Sequence, residues 1–245
     1  MKKDEKYAII TGSTKGIGKA IAERLLRDNY NVFINYSSDE KSKNEFLKSN
    51  NKYKNKIIFI KQSLDTYENA MEFCKKILKI TKSIDVIVLN CGTTDKTPFG
   101  CITKESWEHI MNLNLNVPFY IIQYLSDYIK NDVGRVILMS SVMGKYPHSS
   151  SLVYNVSKSG VDMLAKALVK FFADRKITVN SICPGFINTP YHNNRTEESF
   201  NKINKKIAVQ RFGNPEEVAS LCMEIINNQY INGSNLDING GYDYY

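Results

Sequence analysis

The sequence predicts a single-domain α/β protein in which seven parallel strands form a doubly wound sheet with helices on both faces. Two observations indicate this fold. Short apolar, β-branched runs alternate along the chain with longer amphipathic segments, as they do when each strand is followed by a crossover helix. The 245 residues, 42% of them hydrophobic, suffice for one large core and require no second domain.

Each element has its own signal. The predicted strands are short apolar runs at 7–10, 31–35, 57–61, 85–89, 135–139, 178–182 and 234–238. The predicted helices are amphipathic segments at 17–27, 39–48, 67–80, 104–128, 154–173 and 215–227. The fourth helix is expected to be interrupted before Pro118. The polar, asparagine-rich stretch 188–213 predicts an irregular, mobile lid.

A glycine-rich turn follows the first strand. The segment Thr11-Gly12-Ser13-Thr14-Lys15-Gly16-Ile17-Gly18 joins that strand to an amphipathic helix. Glycines permit a tight turn and close approach of the backbone to a pyrophosphate, and the helix N-terminus directs free amides at the same charge. Such a turn can also be purely structural, but the strand and helix beside it favour a dinucleotide site and a Rossmann-type fold.

A serine, a tyrosine and a lysine form the predicted proton-transfer group. Ser141 follows the fifth strand, while Tyr154 and Lys158 are four residues apart and share one helix face. An ammonium stabilises a phenolate, so Lys158 is expected to lower the pKa of Tyr154. A tyrosine and lysine at this spacing are more often part of an ordinary helix surface, so the interpretation depends on the glycine turn. Ser140 is the alternative to Ser141.

With these residues, the whole chain resembles the short-chain dehydrogenase/reductase family. Further matching segments are Asn90-Cys91-Gly92, Asn114, Pro184-Gly185-Phe186-Ile187-x-Thr189 and Asn239-Gly240-Gly241. The chain departs from the family pattern at Leu89, where an asparagine is expected, and at Ser63, where an aspartate often contacts adenine.

The resemblance implies a set of site residues. The catalytic residues would be Asn114, Ser141, Tyr154 and Lys158. The cofactor would be bound by Gly12, Ser13, Thr14, Lys15, Gly16, Ile17, Gly18, Tyr36, Ser37, Asn90, Gly92, Tyr154, Lys158, Pro184, Gly185, Ile187 and Thr189. Tyr154 would donate a proton to a carbonyl oxygen that Ser141 holds. Lys158 would stabilise the tyrosinate and bind the nicotinamide ribose, and Asn114 would anchor a water that resupplies protons.

The end of the second strand indicates which nicotinamide cofactor binds. An acidic residue there would hold the ribose hydroxyl of NAD and repel the phosphate of NADP, and Tyr36 takes that place. Ser37 and Ser38 can donate hydrogen bonds, and Lys15 offers a cation, so NADPH is expected. Asp39 either opposes this preference or caps the next helix.

Within the family, the chain is most similar to the bacterial 3-oxoacyl-[acyl-carrier-protein] reductases, which implies a ketone bound to an acyl carrier protein. Arg175 would meet the acidic carrier, whereas Asp132 is acidic where a basic residue would help. One alternative is the reduction of another ketone, such as a sugar, polyol or steroid-like compound. Another is a non-catalytic NADP(H)-sensing protein, which the intact catalytic set disfavours.

Charge and composition restrict the remaining partners. The net charge is +8, but the lysines of 41–61 are interleaved with acids rather than aromatics, so nucleic acid is not expected. A basic surface would help if the substrate carries phosphates or an acidic carrier. His109, His148 and His192 are expected on the surface or in the substrate loop, and without metal-ligand spacing no metal is expected.

Cysteine use and hydropathy favour the cytoplasm. The five cysteines show no close pairing, which is typical of reduced thiols. No apolar leader or long apolar span is evident, so neither secretion nor membrane insertion is expected.

Two helices carry more apolar residues than one side of a sheet covers. These are the segments 104–128 and 154–173, and such surface usually ends in a symmetric interface. The resemblance implies a homotetramer, with the tail Tyr242-Asp243-Tyr244-Tyr245 completing a second interface near a neighbour's active site. The alternative is that the tail is a disordered terminus.

Overall fold

A computed structural model describes residues 5–94, 96–148 and 151–242. Seven parallel strands form one sheet in the order β3-β2-β1-β4-β5-β6-β7, which confirms the predicted single-domain fold. The strands are β1 (Tyr7–Ile10), β2 (Asn31–Tyr36), β3 (Ile57–Lys61), β4 (Val86–Leu89), β5 (Arg135–Met139), β6 (Thr178–Pro184) and β7 (Asn235–Ile238). The strand order reverses between β1 and β4, and a crevice opens there at the carboxyl edge of the sheet.

Helices cover both faces of this sheet. They are α1 (Gly16–Arg27), α2 (Glu40–Ser49), α3 (Tyr67–Leu78), α4 (Lys104–Met111), α5 (Val117–Leu125), α6 (Leu152–Phe172), α7 (Glu197–Asn204) and α8 (Pro215–Asn227). Among the described residues, none of these helices is both long and apolar enough to cross a membrane.

Two layers of buried apolar side chains pack against the sheet, one on each face. Phe73, Ile121 and Phe172 belong to the layer under α3, α5 and α6. Leu25 and Cys222 belong to the layer under α1 and α8. All five side chains are fully buried or nearly so. Such tight packing holds the strand ends, and the loops that follow them, in fixed positions.

The segment 104–128 is not simply broken before Pro118. A π-helical turn, Asn112–Asn116, joins α4 to α5, and the amide of Val117 donates to the carbonyl of Asn112. Because proline has no N–H, the α-helical bond from position 118 to the Asn114 carbonyl cannot form. The helix therefore widens by one residue at Asn114 and continues.

The segment 188–213 is more ordered than the sequence predicted. It contains a short turn, Pro190–His192, and the helix α7. The Thr196 side chain caps α7 by accepting a hydrogen bond from the Ser199 amide at 3.2 Å. The prediction of an irregular stretch was wrong at α7, because a short polar helix has too little apolar periodicity to stand out.

Candidate active site

The glycine turn adopts a conformation that its glycines make possible. Gly12 and Gly16 have φ angles of +60° and +57°, in the left-handed region that other residues rarely adopt. At Gly18, a Cβ atom would overlap the Gly12 carbonyl oxygen and lie 2.6 Å from the Asn90 side-chain nitrogen. The turn thus keeps its backbone exposed to the crevice at the start of α1.

Side chains from neighbouring strands hold the turn in place. The Asn90 Nδ2 donates to the carbonyls of Thr11 and Gly12, at 3.1 and 3.0 Å. The Gly12 amide donates to Asn35 Oδ1 at 3.1 Å. The Ser13 hydroxyl donates to the Ile10 carbonyl at 2.8 Å. The sequence did not single out Thr11 or Asn35, because buried polar bracing leaves no signal in spacing or charge.

Two cavities lie at the carboxyl edge of the sheet, beside the turn. The larger has a volume of about 820 Å³, and the predicted residues that line it are Lys15, Gly16, Ile17, Asn90, Gly92, Ser141, Tyr154, Lys158, Pro184, Gly185, Ile187 and Thr189. The smaller, of about 270 Å³, is lined by Gly12, Thr14, Lys15, Tyr36, Ser37 and Gly92. The remaining predicted residues, Ser13, Gly18 and Asn114, line neither cavity; Ser13 and Asn114 act as braces, and Gly18 permits the close approach of the turn.

Ser141, Tyr154 and Lys158 come together in the larger cavity. Ser141 lies just after β5, and its Oγ accepts a hydrogen bond from the Met143 amide at 3.2 Å. The Lys158 Nζ lies 5.6 Å from the centre of the Tyr154 ring. The same Nζ donates to the Met139 carbonyl at 2.7 Å, so the end of β5 fixes its position.

The ionisation of Tyr154 differs from the sequence-based expectation. Burial raises the pKa of Tyr154, and a hydrogen bond from Ser141 only partly opposes this effect. The prediction that Lys158 lowers this pKa was wrong for the chain alone, because the ammonium lies over the ring face and donates to Met139. Tyr154 is therefore protonated at neutral pH, in the form that donates a proton.

Lys158 is the second buried ionisable group of the site. Burial lowers its pKa to about 8, while the Asp162 carboxylate stabilises its charged form. Asp162 is itself buried and accepts a hydrogen bond from the Ser181 hydroxyl at 2.7 Å. Lys158 thus keeps most of its charge at neutral pH but titrates near it.

Asn114 acts as a brace in this structure. Its Oδ1 accepts from the Thr93 amide at 2.8 Å, and its Nδ2 donates to the Thr93 carbonyl and the Ser157 hydroxyl, both at 2.9 Å. It ties the loop after β4 to α6, which carries Tyr154 and Lys158. Both side-chain N–H groups of Asn114 are thus used in bonds to protein groups.

The alternative serine and the histidines also have defined positions. The Ser140 hydroxyl donates to the Lys158 carbonyl at 3.1 Å, which leaves Ser141 as the serine paired with Tyr154. His148 and His192 line the larger cavity, and His109 lines the smaller one. In the part of the chain that the structure describes, no three His, Cys, Asp or Glu side chains form a group that could hold a metal.

Tyr36, a predicted cofactor contact, lines the smaller cavity. The Tyr36 side chain is 8% exposed, and its hydroxyl donates to a Glu40 carboxylate oxygen at 3.2 Å. Of the two roles considered for Asp39, the structure shows the helix cap. It caps α2 by accepting from the Ser42 amide at 2.9 Å, and it pairs with Lys15 Nζ at 3.2 Å. Capping and this pairing lower the pKa of Asp39 to about 2.

Arg175 is not free to meet an acidic carrier. Its guanidinium donates to Asn131 Oδ1 and to the Ser126 carbonyl, both at 2.7 Å, and also to the Ile129 carbonyl. Asp132, in the same loop, pairs with Lys176 at 3.1 Å. The hypothesis that Arg175 docks a carrier is therefore not supported, since its donors hold the loop before β5.

Comparison with known proteins identifies the family. The short chain dehydrogenase profile matches residues 6–199. The chain is 34% identical to a 3-oxoacyl-[acyl-carrier-protein] reductase of Aquifex aeolicus, over 96% of each chain. It is 33% identical to glucose 1-dehydrogenase 2 of Bacillus subtilis, over 98% of this chain and 95% of that one. A short-chain dehydrogenase/reductase from Serratia marcescens superposes with a TM-score of 0.90 at 24% identity, over 97% of each chain.

The chain therefore belongs to the short-chain dehydrogenase family, and the predicted family is confirmed. It is an oxidoreductase that acts on CH–OH or C=O groups. Its relatives bear the names of enzymes with different substrates, an acyl-carrier-protein thioester in one case and glucose in the other.

Proposed function

We propose that this protein is a cytoplasmic, NADPH-dependent reductase of a ketone, and that the ketone is a 3-oxoacyl thioester of acyl carrier protein. The observation that carries the proposal is the pairing of a buried, protonated Tyr154 with Ser141 and Lys158 in one cavity. A sensor that only binds a nucleotide has no need of a buried acid beside a serine hydroxyl.

The residues present fit a nicotinamide dinucleotide. At Gly12 and Gly18 a Cβ atom would overlap protein atoms, and Gly12 and Gly16 have positive φ angles, so this backbone suits close approach of a pyrophosphate. The cavities on either side give space for the two nucleoside halves, with Ser37 and Lys15 beside the smaller one. Lys15 would attract the additional phosphate of NADPH.

The carboxylates near the end of β2 do not prevent this choice. Glu40 accepts from the Tyr36 hydroxyl and pairs with Lys61 at 2.9 Å, and Asp39 is paired with Lys15. Neither acid has the position directly at the strand end from which it would hold a ribose hydroxyl.

Bound NADPH supplies a hydride to the carbonyl carbon of the substrate. Negative charge then grows on the carbonyl oxygen, and Tyr154 transfers its phenolic proton to that oxygen. Ser141 donates a hydrogen bond to the same oxygen, because its Oγ accepts from the Met143 amide and keeps its own proton available. Lys158, fixed by the Met139 carbonyl, stabilises the tyrosinate that remains.

Segment 188–213 serves as the substrate lid in this account. It follows the Pro184-Gly185 loop, and Tyr191, His192 and Ser199 line the larger cavity. The short helix α7 can move with the loops on either side of it, and closure would exclude water from Tyr154.

A cofactor-oxidation screen of the purified protein tests the proposal. The substrates are acetoacetyl thioesters of acyl carrier protein and N-acetylcysteamine, glucono-lactone and a panel of sugar, polyol-derived and steroid ketones, each with NADPH and NADH. We expect the highest kcat/KM with an acetoacetyl thioester and NADPH. Turnover of a sugar substrate alone would assign the runner-up function, and oxidation of NADPH by none of them would favour the sensor.

A further inference from the structure

The larger cavity is lined by cations. Six lysine and arginine side chains line it, and no aspartate or glutamate of the described residues does; the cations are Lys15, Lys96, Lys158, Arg195, Lys202 and Lys206. Two of the six have functions given above, since Lys15 pairs with Asp39 and Lys158 donates to Met139. The other four have no part in the proton transfer or in the glycine turn.

Three of these four lie on or beside the lid helix. Ser199, Lys202, Ile203 and Lys206 all line the cavity, and their spacing places them on one face of α7 and its last turn. The acids of α7, Glu197 and Glu198, do not line the cavity. The lid helix thus turns a basic face toward the substrate and an acidic one away from it.

These cations have no carboxylate partner within the described ranges. Lys96, Lys202 and Lys206 form no salt bridge with any aspartate or glutamate in 5–94, 96–148 or 151–242. Like charges that face one cavity repel each other, and an anion bound between them relieves that repulsion.

Arg195 is fixed in position by a buried histidine. Its Nε donates to His192 Nδ1 at 2.9 Å, and its NH1 donates to the Ser199 hydroxyl at 3.3 Å. His192 packs between Phe186 and Phe212, with ring centres at 6.3 and 5.2 Å. Burial, together with Arg195 and Lys96, lowers the pKa of His192 to about 4, so the histidine stays neutral and accepts from Arg195. A guanidinium held in this way is ordered before any ligand arrives.

We propose that the ketone substrate carries an oxyanion, a carboxylate or a phosphate, which binds to Arg195, Lys202 and Lys206 while the carbonyl lies at Ser141 and Tyr154. The inference rests on the proposed function as a ketone reductase and adds the charge of the substrate to it. It also supplies the basic contact that Arg175 cannot provide.

Binding to the complex of enzyme and NADP⁺, measured by calorimetry, tests the inference without turnover. The ligands are two matched pairs that differ only in charge: phosphopantetheine with pantetheine, and levulinate with methyl levulinate. The charged member of at least one pair should bind about tenfold more tightly than the neutral member. Lys202→Gln and Lys206→Gln should each reduce that difference about threefold to tenfold, as expected for one partly exposed charge contact.

Lys205→Gln is the matched control. Lys205 lies directly after α7 and does not line the cavity. Its substitution removes the same charge from the lid, and the difference in affinity between the charged and neutral ligand of each pair should not change. An effect on the phosphopantetheine pair alone would identify a phosphate, on a carrier arm or coenzyme, as the source of the anion. An effect on the levulinate pair alone would identify a small oxo acid.

Three outcomes would overturn the inference: equal binding of charged and neutral members, an equal effect of Lys205→Gln, or weaker binding of NADP⁺ itself in Lys202→Gln and Lys206→Gln. Reduction of acetoacetyl-N-acetylcysteamine, a neutral thioester, is measured alongside. If that compound and the rest of the screen are not reduced, the proposed function fails, while the binding result still decides the anion site by itself.

Discussion

At the scale of single residues, the role of Asp39 depends on the groups around its side chain. Asp39 was expected either to oppose NADPH or to cap a helix, and it both caps α2 and neutralises Lys15. The carboxylate therefore weakens Lys15, the cation that we propose attracts the additional phosphate of NADPH. Cofactor preference depends on the balance between these two charges.

Asp39→Asn should strengthen the preference for NADPH. Asparagine retains the oxygen that caps α2 but removes the charge that competes for Lys15. We expect the ratio of kcat/KM for NADPH to that for NADH to rise about 1.5-fold to fivefold, the range for an exposed charge contact. Lys15→Gln should lower the same ratio. A ratio unaltered by both substitutions would show that Lys15 does not bind the phosphate.

The residues with proposed chemical roles were predictable from the sequence, whereas the contacts that position them were not. Tyr154, Lys158 and the glycines of the turn have the sequence spacings that their proposed roles require. The sequence alone therefore shows this pattern. Asn35 was given no role, and Asn114 was expected at the site but not as a brace, because both act through bonds to residues distant along the chain. The predicted direction of the Tyr154 pKa shift was wrong, and the reason is related. Burial and the direction of the Lys158 ammonium both depend on the whole fold.

At the scale of the elements, the strands were easier to predict than the irregular helices. The central strands β4 and β5 are almost wholly apolar, because a parallel sheet is buried on both faces. The π-helical turn at Asn112–Asn116 and the helix α7 depend instead on a proline without an N–H and on a threonine cap. Both features are local, and both flank the candidate site.

Asn114→Ala should lower both stability and activity, because it removes the bonds that hold the loop after β4. The substitution leaves the Thr93 amide and carbonyl without their buried partner, at a cost of about 1 to 3 kcal/mol in the free energy of unfolding. We expect thermal unfolding at lower temperature and reduced kcat, because Thr93 follows Gly92 at the cavity. Asn116→Ala is the control: this residue is in the same π-helical turn, and within the described ranges its side chain bonds to Asn112 alone. Equal effects of the two would contradict this role.

Acid should lower the free energy of unfolding of the protein through protonation of His192. Its pKa is lowered from 6.5 to about 4, so between these values the unfolded chain binds the proton and the folded chain does not. The free energy of unfolding contributed by this residue is thus fully present above pH 6.5 and falls as the pH drops toward 4. Relative to His192→Gln, the protein should lose about 1 to 3 kcal/mol in denaturant titrations across this window. Parallel pH curves for the two proteins would contradict the account.

At the scale of the whole molecule, we propose self-association through exposed apolar side chains on three helices. They lie on α4, α5 and α6 and are Trp107, Phe119, Tyr124, Val156, Met163 and Phe171. Met163 and Phe171 are 63% and 68% exposed, which is unfavourable in a monomer. Of the aromatic tail, Tyr242 packs against Phe186 at 5.3 Å, while 243–245 lie outside the described residues.

Light scattering at micromolar concentration should give the mass of a tetramer, as proposed from the sequence. Met163→Glu combined with Phe171→Glu should reduce that mass, because two charges would have to be buried in the interface. Ile80→Glu, at an exposed apolar position just after α3, should leave it unchanged. A single-chain mass for the unmodified protein would reject the assembly.

The measurement that tests the central claim most directly is turnover by Tyr154→Phe. The variant lacks only the proposed proton donor, so NADPH affinity should be retained while kcat for an acetoacetyl thioester falls about 100- to 10,000-fold. Tyr191→Phe, which alters another tyrosine lining the same cavity, is the matched control and should remain active. Undiminished turnover in Tyr154→Phe would contradict the assignment of Tyr154 as the acid.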